Sequence, residues 1–141
     1  MSNRVVISLP WPPSVNTYWR SITRGALAGR VLLSERGRDY RLQVARAVQS
    51  QRVPVRLLTG KLSVAIHALP PDRRARDLDN LLKGVLDALT FSGVIRDDAD
   101  IDDLRITRFG ARPPGQLQIR ISEIPGEATQ SGRLFPAGEV A

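Results

Sequence analysis

The chain has 141 residues, 21 lysines and arginines against 14 aspartates and glutamates, and no cysteine. That length suits one domain with a single core, and the missing cysteine excludes disulfides, thiolate zinc sites and thiol nucleophiles. The positive surplus points to polyanionic partners, nucleic acid first, through phosphate neutralisation and counterion release.

The opening MSNRVVISLPWPP offers five mostly apolar residues before prolines interrupt it, too few for a signal-peptide core, and no later stretch approaches a membrane span. A soluble cytoplasmic protein is therefore expected. VVISL at 5–9 reads as a β-branched strand ending at Pro10, and WPPSVNTYWR follows as a rigid aromatic turn. RSITRGALAGR, from Arg20 to Arg30, lacks any sustained period and reads as a mobile basic loop. Ser34 is placed to cap a helix running to about Gln49, with Tyr40, Val44, Ala47 and Val48 on its apolar side. KLSVAIHAL at 61–69 alternates as a strand, with Leu62, Val64, Ile66 and Ala68 facing one way and His67 the other, and Pro70-Pro71 stops it. Leu78, Leu82, Val85, Leu86 and Leu89 mark a second helix, ended by the glycine of Ser92-Gly93. Leu104 and Ile106 belong to a third strand, Leu117, Ile119 and Ile121 to a fourth, and GARPPG between them reads as a hairpin connection. These elements predict an α/β (α+β) fold: a small mixed sheet with two helices on one face, in the order β-α-β-α-β-β. Residues 1–124 form the expected domain, and 125–141 lack periodicity and read as a loose tail.

Charge is unevenly distributed. Residues 72–103 hold nine acids and five bases, leaving 16 bases and five acids for the rest of the chain. Within this island, PDRRARDLDN sets Asp77 and Asp79 one residue apart behind Arg73, Arg74 and Arg76. Asp79 sits where an N-cap belongs, so the simplest reading is a capping aspartate beside a solvated one. IRDDADIDD, beyond the far end of the same helix, packs five aspartates into the seven residues 97–103. Taken alone it reads as a solvated acidic turn, yet such a run repels itself unless cations gather. The intervening helix is ~20 Å long at the usual rise. A fold-back of the chain is therefore expected to bring Asp97 or Asp98 beside Asp77 and Asp79, forming a hard oxygen site for Mg²⁺ or Mn²⁺. A carboxylate-held ion beside arginines suits phosphodiester hydrolysis. Lys83, four residues after Asp79, either pairs with it or neutralises a phosphate; Asn80 hydrogen-bonds a carboxylate or caps the helix.

With those residues in view, the chain resembles the RusA family of Holliday-junction resolvases, from about Leu9 to Glu123. The resemblance is carried by LPWPPSVNTYWR, by Ser34, Gly37, Tyr40 and Arg41 in an S-x-x-G-x-x-Y-R pattern, by PDRRARDLDNLLKGVLDAL, and by Asp97-Asp98 after Gly93. It implies a homodimeric endonuclease that binds four-way DNA junctions and nicks two strands symmetrically with Mg²⁺ or Mn²⁺. It also implies metal-binding and catalytic roles for Asp77, Asp79 and Asp98, preferring Asp98 to Asp97, and a catalytic role for Lys83. Neither a small-molecule cofactor nor a membrane is expected. The stretch from Arg20 to Ser34 and the residues beyond Pro125 depart from the family pattern.

Junction contacts are expected from Arg20, Arg24 and Arg30 on the early loop and from Arg73, Arg74 and Arg76. Trp11, Tyr18 and Trp19 either stack on unpaired bases or pack the N-terminal turn, with packing favoured. His67 reads as structural. Two rivals stay open: a non-catalytic junction-binding protein, and a metal-dependent nuclease acting on flaps or single strands.

Overall fold

The computed structural model describes residues 3–126 and 134–138. Strand β1 (Arg4–Pro10) leads into a one-turn helix α1 (Val15–Tyr18) and a short ribbon, β2 (Trp19–Ser21) with β3 (Val31–Leu33). Helix α2 (Glu35–Ser50), β4 (Leu62–Leu69), α3 (Asp79–Phe91), a 3-10 turn (Asp98–Asp100), β5 (Ile101–Arg108) and β6 (Gln116–Glu123) follow. Four strands form one mixed sheet in the order β1-β6-β4-β5, with only β4 and β5 parallel.

Period-two alternation determines which face is covered. Val5, Ile7 and Leu9 of β1, Leu62, Val64, Ile66 and Ala68 of β4, and Leu117, Ile119 and Ile121 of β6 are all buried. They share one core with Tyr40, Val44 and Val48 of α2 and Leu81, Val85, Ala88 and Leu89 of α3. The opposite face, including Arg4, Val6, His67, Arg105 and Arg120, is exposed. The expected mixed sheet with helices on one face is what forms.

Four local expectations are corrected. GARPPG is not a hairpin: β4 lies between β5 and β6, so the connection passes over the end of β4, where Arg112 N–H donates to Pro70 O at 2.7 Å. A helical crossover from β4 lets β5 pair parallel on one side while β6 takes the other, and the pattern within each strand cannot report that order. The basic loop after Arg20 is an ordered ribbon. Ile22 N–H donates to Arg30 O at 2.9 Å across its neck, and Gly25 and Gly29 supply the positive φ of 84° and 85° that its tip requires. The buried stripe of α3 runs through Leu81, Val85, Ala88 and Leu89, whereas Leu78, Leu82 and Leu86 pack only partly against the core. Finally, Leu78 occupies the cap position of α3 with no side-chain hydrogen bond, and Asp79 is the first helical residue. The tail expected over 125–141 lies largely outside the described residues.

Candidate active site

Asp77 and Asp79 stand at the start of α3, at the end of the sheet where β4 and β5 finish. Free of a capping role, both carboxylates are exposed, and neither has a side-chain partner among the described residues. The helix N-terminus favours their negative charge. Asp77 lines a cleft of about 300 Å³ with Trp11, Ser14, Arg76 and Asn80. Asn80 binds Asp77 through its backbone, N to O at 3.3 Å.

The arginines before the pair differ in freedom. Arg76 Nη1 donates to Asp72 Oδ1 at 2.6 Å, and its guanidinium lies 5.9 Å from the Trp11 ring centroid. Asp72 is held down to about 2 by the Arg76 hydrogen bond, helped by the Arg74 backbone N–H. A guanidinium nitrogen of Arg108 also donates to Arg76 O. Arg73 is exposed, and the Arg74 side chain is 84% exposed, with its Nε 4.0 Å from Asp72.

Lys83 is exposed and makes no ion pair with Asp79 among the described residues. It faces the ribbon, lining a cleft of about 630 Å³ with Val15, Asn16, Trp19, Arg20, Ser21 and Val31. Arg20 of β2 therefore sits across a cleft from Lys83, while Arg24 and Arg30 are exposed further along the ribbon. Two cations flank the same opening.

Of the network beside this cleft, the sequence marks Tyr18 only as an aromatic that stacks or packs and Arg41 only within the family pattern, and it assigns Asp87 no role. Tyr18 OH and Arg41 both donate to Asp87, Arg41 through Nε at 2.8 Å and Nη2 at 2.9 Å. Asp87 lies one turn after Lys83 on the same side of α3. The S-x-x-G-x-x-Y-R pattern contained the signal. Ser34 Oγ accepts from Gly37 N–H at 3.0 Å and donates to Tyr18 O at 2.8 Å. Tyr40 OH donates to Pro10 O at 2.8 Å, and Arg41 takes Asp87. The four residues clamp the N-terminal turn onto both helices. Packing accounts for much of the aromatic content there: Tyr18 is fully buried, 5.1 Å from the Trp19 ring. His67 is exposed, with its ring 4.7 Å from that of Phe109.

Asp98 lies elsewhere. It opens the 3-10 turn that leads into β5, whose first residue, Ile101, pairs with Leu62 at the beginning of β4. The 13 residues of α3 span ~20 Å between that end and Asp79. The Arg108 contact to Arg76 marks the far end of β5, by Asp77. The fold-back expected within one chain therefore does not occur. Among the described residues no group of three or more His, Asp or Glu side chains is placed to hold a metal ion. Asp97 accepts from Ala99 N–H at 2.9 Å. The hydrogen bond with Asp97 pushes the Asp98 carboxyl up, while the Ala99 N–H and Asp98 hold that of Asp97 down. Asp100 pairs with Arg96 at 3.0 Å, Asp102 lies 3.9 Å from Lys61, and Asp103 accepts from Ser63 at 3.2 Å.

Similarity to known proteins defines the class. Residues 10–122 match the family model described as Endodeoxyribonuclease RusA, and the chain belongs to that family. Among its relatives is the crossover junction endodeoxyribonuclease of Enterobacteria phage HK97, 38% identical over 122 residues, covering 86% of this chain and 97% of the relative. The crossover junction endodeoxyribonuclease RusA of Escherichia coli K12 is 39% identical over 126 residues, covering 89% and 99%. That of Enterobacteria phage 82 is 39% identical over the same length.

Proposed function

We propose that this protein is a Holliday-junction resolvase: a homodimeric, Mg²⁺- or Mn²⁺-dependent endodeoxyribonuclease that nicks two strands of a four-way junction symmetrically. Family membership across residues 10–122, with relatives named crossover junction endodeoxyribonucleases, carries the reading. The geometry around α3 supports it. Two carboxylates without side-chain partners among the described residues stand at a helix start, with Lys83 and Arg20 across the neighbouring cleft and the exposed side chains of Arg73 and Arg74 beside them.

The donor chemistry suits a hard divalent cation, since carboxylate oxygens are available and thiolates are absent. One chain, however, contributes Asp77 and Asp79 at this end and not Asp98. Such an ion, when bound, activates water and shields the phosphate. The chain's own residues bind and orient: Lys83 and Arg20 take up phosphate charge, and Arg73, Arg74, Arg24 and Arg30 extend the basic surface along the DNA. The Tyr18–Asp87–Arg41 network holds Lys83 and the ribbon at a set separation, which positioning of a scissile phosphate requires.

The deciding experiment is incubation of a synthetic four-way junction with the protein, with and without Mg²⁺, mapping nicks on all four strands. Paired nicks on opposing strands are expected only with the metal. Unchanged activity in EDTA would sink the metal-dependent reading, and equal cutting of flaps or linear duplex would sink the junction selectivity.

A further inference from the structure

The sheet face turned away from the helices carries an arrangement that the site at the start of α3 does not use. Ala65, in the middle of β4, pairs with Arg105 on one side and Arg120 on the other, and Arg120 pairs in turn with Val6. Neighbouring strands lie about 4.8 Å apart, so the two arginines start about 10 Å from each other with only a methyl group between them. The small residue leaves a hollow of about 200 Å³, whose lining includes Val6, His67, Gln118 and Arg120. One row further along, His67 pairs with Thr107 and Gln118. Its ring meets that of Phe109, itself 45% exposed, at 4.7 Å.

A sheet face that meets only water is polar along its length. This one mixes bare cations with exposed apolar groups. Arg4, Arg105 and Arg120 make no ion pair among the described residues. Among those residues, the one carboxylate at a position on this face, Asp103, accepts from Ser63 at 3.2 Å. Val6, beside Arg120, is 64% exposed. Cations without counter-charges favour an anion, and an exposed ring pair next to them favours a flat apolar group. A nucleotide presents both. A duplex keeps its bases inside the stack and would engage the arginines alone, whereas a single strand can set a phosphate between Arg105 and Arg120 and a base against Phe109 and His67.

We propose that the open sheet face, centred on Arg105, Arg120 and the His67–Phe109 pair, is a binding site for single-stranded DNA. Helices α2 and α3 pack on the other side of the sheet, so a strand held here does not compete with a phosphate taken up by Lys83 and Arg20. The face receives a strand that opening of a junction leaves unpaired. The choice of DNA over RNA rests on the nuclease reading; the recognition chemistry, a phosphate and the flat side of a base, does not.

Cross-linking locates the strand directly. The protein in EDTA is mixed with a thymidylate oligomer of about 15 nucleotides, the upper range of a single-strand site, carrying 5-iododeoxyuridine, and is irradiated. Mass spectrometry is expected to find the oligomer attached at Phe109 or His67. No attachment, or attachment confined to Trp11, Tyr18 or Trp19, would overturn the site. Fluorescence anisotropy with a labelled oligomer then measures the contributions. Phe109→Ala is expected to weaken binding about 5- to 150-fold, the range for loss of one stacked base. Replacing Arg105 and Arg120 together with Ser is expected to flatten the salt dependence by about 0.7 in slope for each phosphate released. Wild-type affinity and slope in both variants, with Tm unchanged, would also overturn the site. Tighter binding of a uridylate oligomer of the same length would overturn DNA as the occupant. Failure of the wild-type protein to nick a junction with Mg²⁺ would overturn the nuclease reading alone, since the cross-link is made without metal.

Discussion

Arg41 holds Asp87 edge-on through two hydrogen bonds of 2.8 and 2.9 Å, joining α2 to α3 one turn beyond Lys83. Both side chains are largely shielded, at 27% and 21% exposure. Replacing Arg41 with Leu leaves the Asp87 carboxylate without its cation and with the Tyr18 hydroxyl alone, and replacing Asp87 with Ala strands a guanidinium and the Tyr18 hydroxyl. Each change is expected to lower stability by about 1–3 kcal/mol, because it leaves a partly buried charged group without its counter-charge. Urea unfolding of the variants measures the loss. A midpoint unchanged from wild type would show the pair to be energetically silent.

The same pair sets a pH dependence. Burial pushes the Asp87 carboxyl up, but hydrogen bonds from Arg41 and Tyr18 outweigh it and hold the group below its ordinary 3.8. A folded-state value below the unfolded one contributes stability that is complete above 3.8 and is lost as pH falls through the lower folded value. Wild type is therefore expected to lose more stability than Asp87→Asn between about pH 6 and about pH 3. Parallel losses in the two proteins would contradict the assignment.

Gly37 is expected to resist substitution despite lying inside α2. Alanine ordinarily gains about 1 kcal/mol over glycine in a helix interior. Here an added Cβ would lie 2.5 Å from Tyr18 O and 2.6 Å from Leu33 Cδ1, and the first of these is backbone held by Ser34. The clash outweighs the propensity gain, so Gly37→Ala should lower Tm and loosen the ribbon that carries Arg20. A Tm at or above wild type would mean that the ribbon shifts freely.

Asp77→Asn is expected to abolish nicking while junction binding persists or strengthens, since a negative charge facing DNA is removed. Lys83→Ala should slow single-turnover nicking by about 10²–10³, the usual range for losing one charge-stabilising group. Gel-shift titration and single-turnover kinetics separate the two effects. Loss of binding and cleavage together in either variant would assign it a structural role.

Arg20, Arg24 and Arg30 are exposed along the ribbon, outside the hydrogen-bonded core. Replacing all three with Ala is expected to weaken junction binding without reducing Tm. It should also flatten the salt dependence by about 0.9 in slope for each phosphate no longer neutralised. Binding measured across a salt series tests this, and an unchanged slope would place the DNA elsewhere.

Much of the fold was legible because it is local. The alternation of Leu62, Val64, Ile66 and Ala68 predicts one buried face, and that face is the one the helices cover. Ser34 was recognisable as a cap because the hydrogen bond it accepts comes from Gly37, three residues on. The ribbon around Gly25 and Gly29 was not, since short strands without periodicity give no signal beyond their glycines.

The sequence by itself determined the four strands of the main sheet, the two long helices and the family, because periodicity, capping and motif spacing act over a few residues and survive in one dimension. Only the tertiary structure decided strand order and how the charges are grouped. The crossover of α3 makes β5 parallel to β4 and sends Asp98 to the end of the sheet opposite Asp77 and Asp79. Carboxylates some twenty positions apart carry no mark of whether the helix between them separates or joins them. Direction of travel through the fold settles that, and spacing along the chain does not.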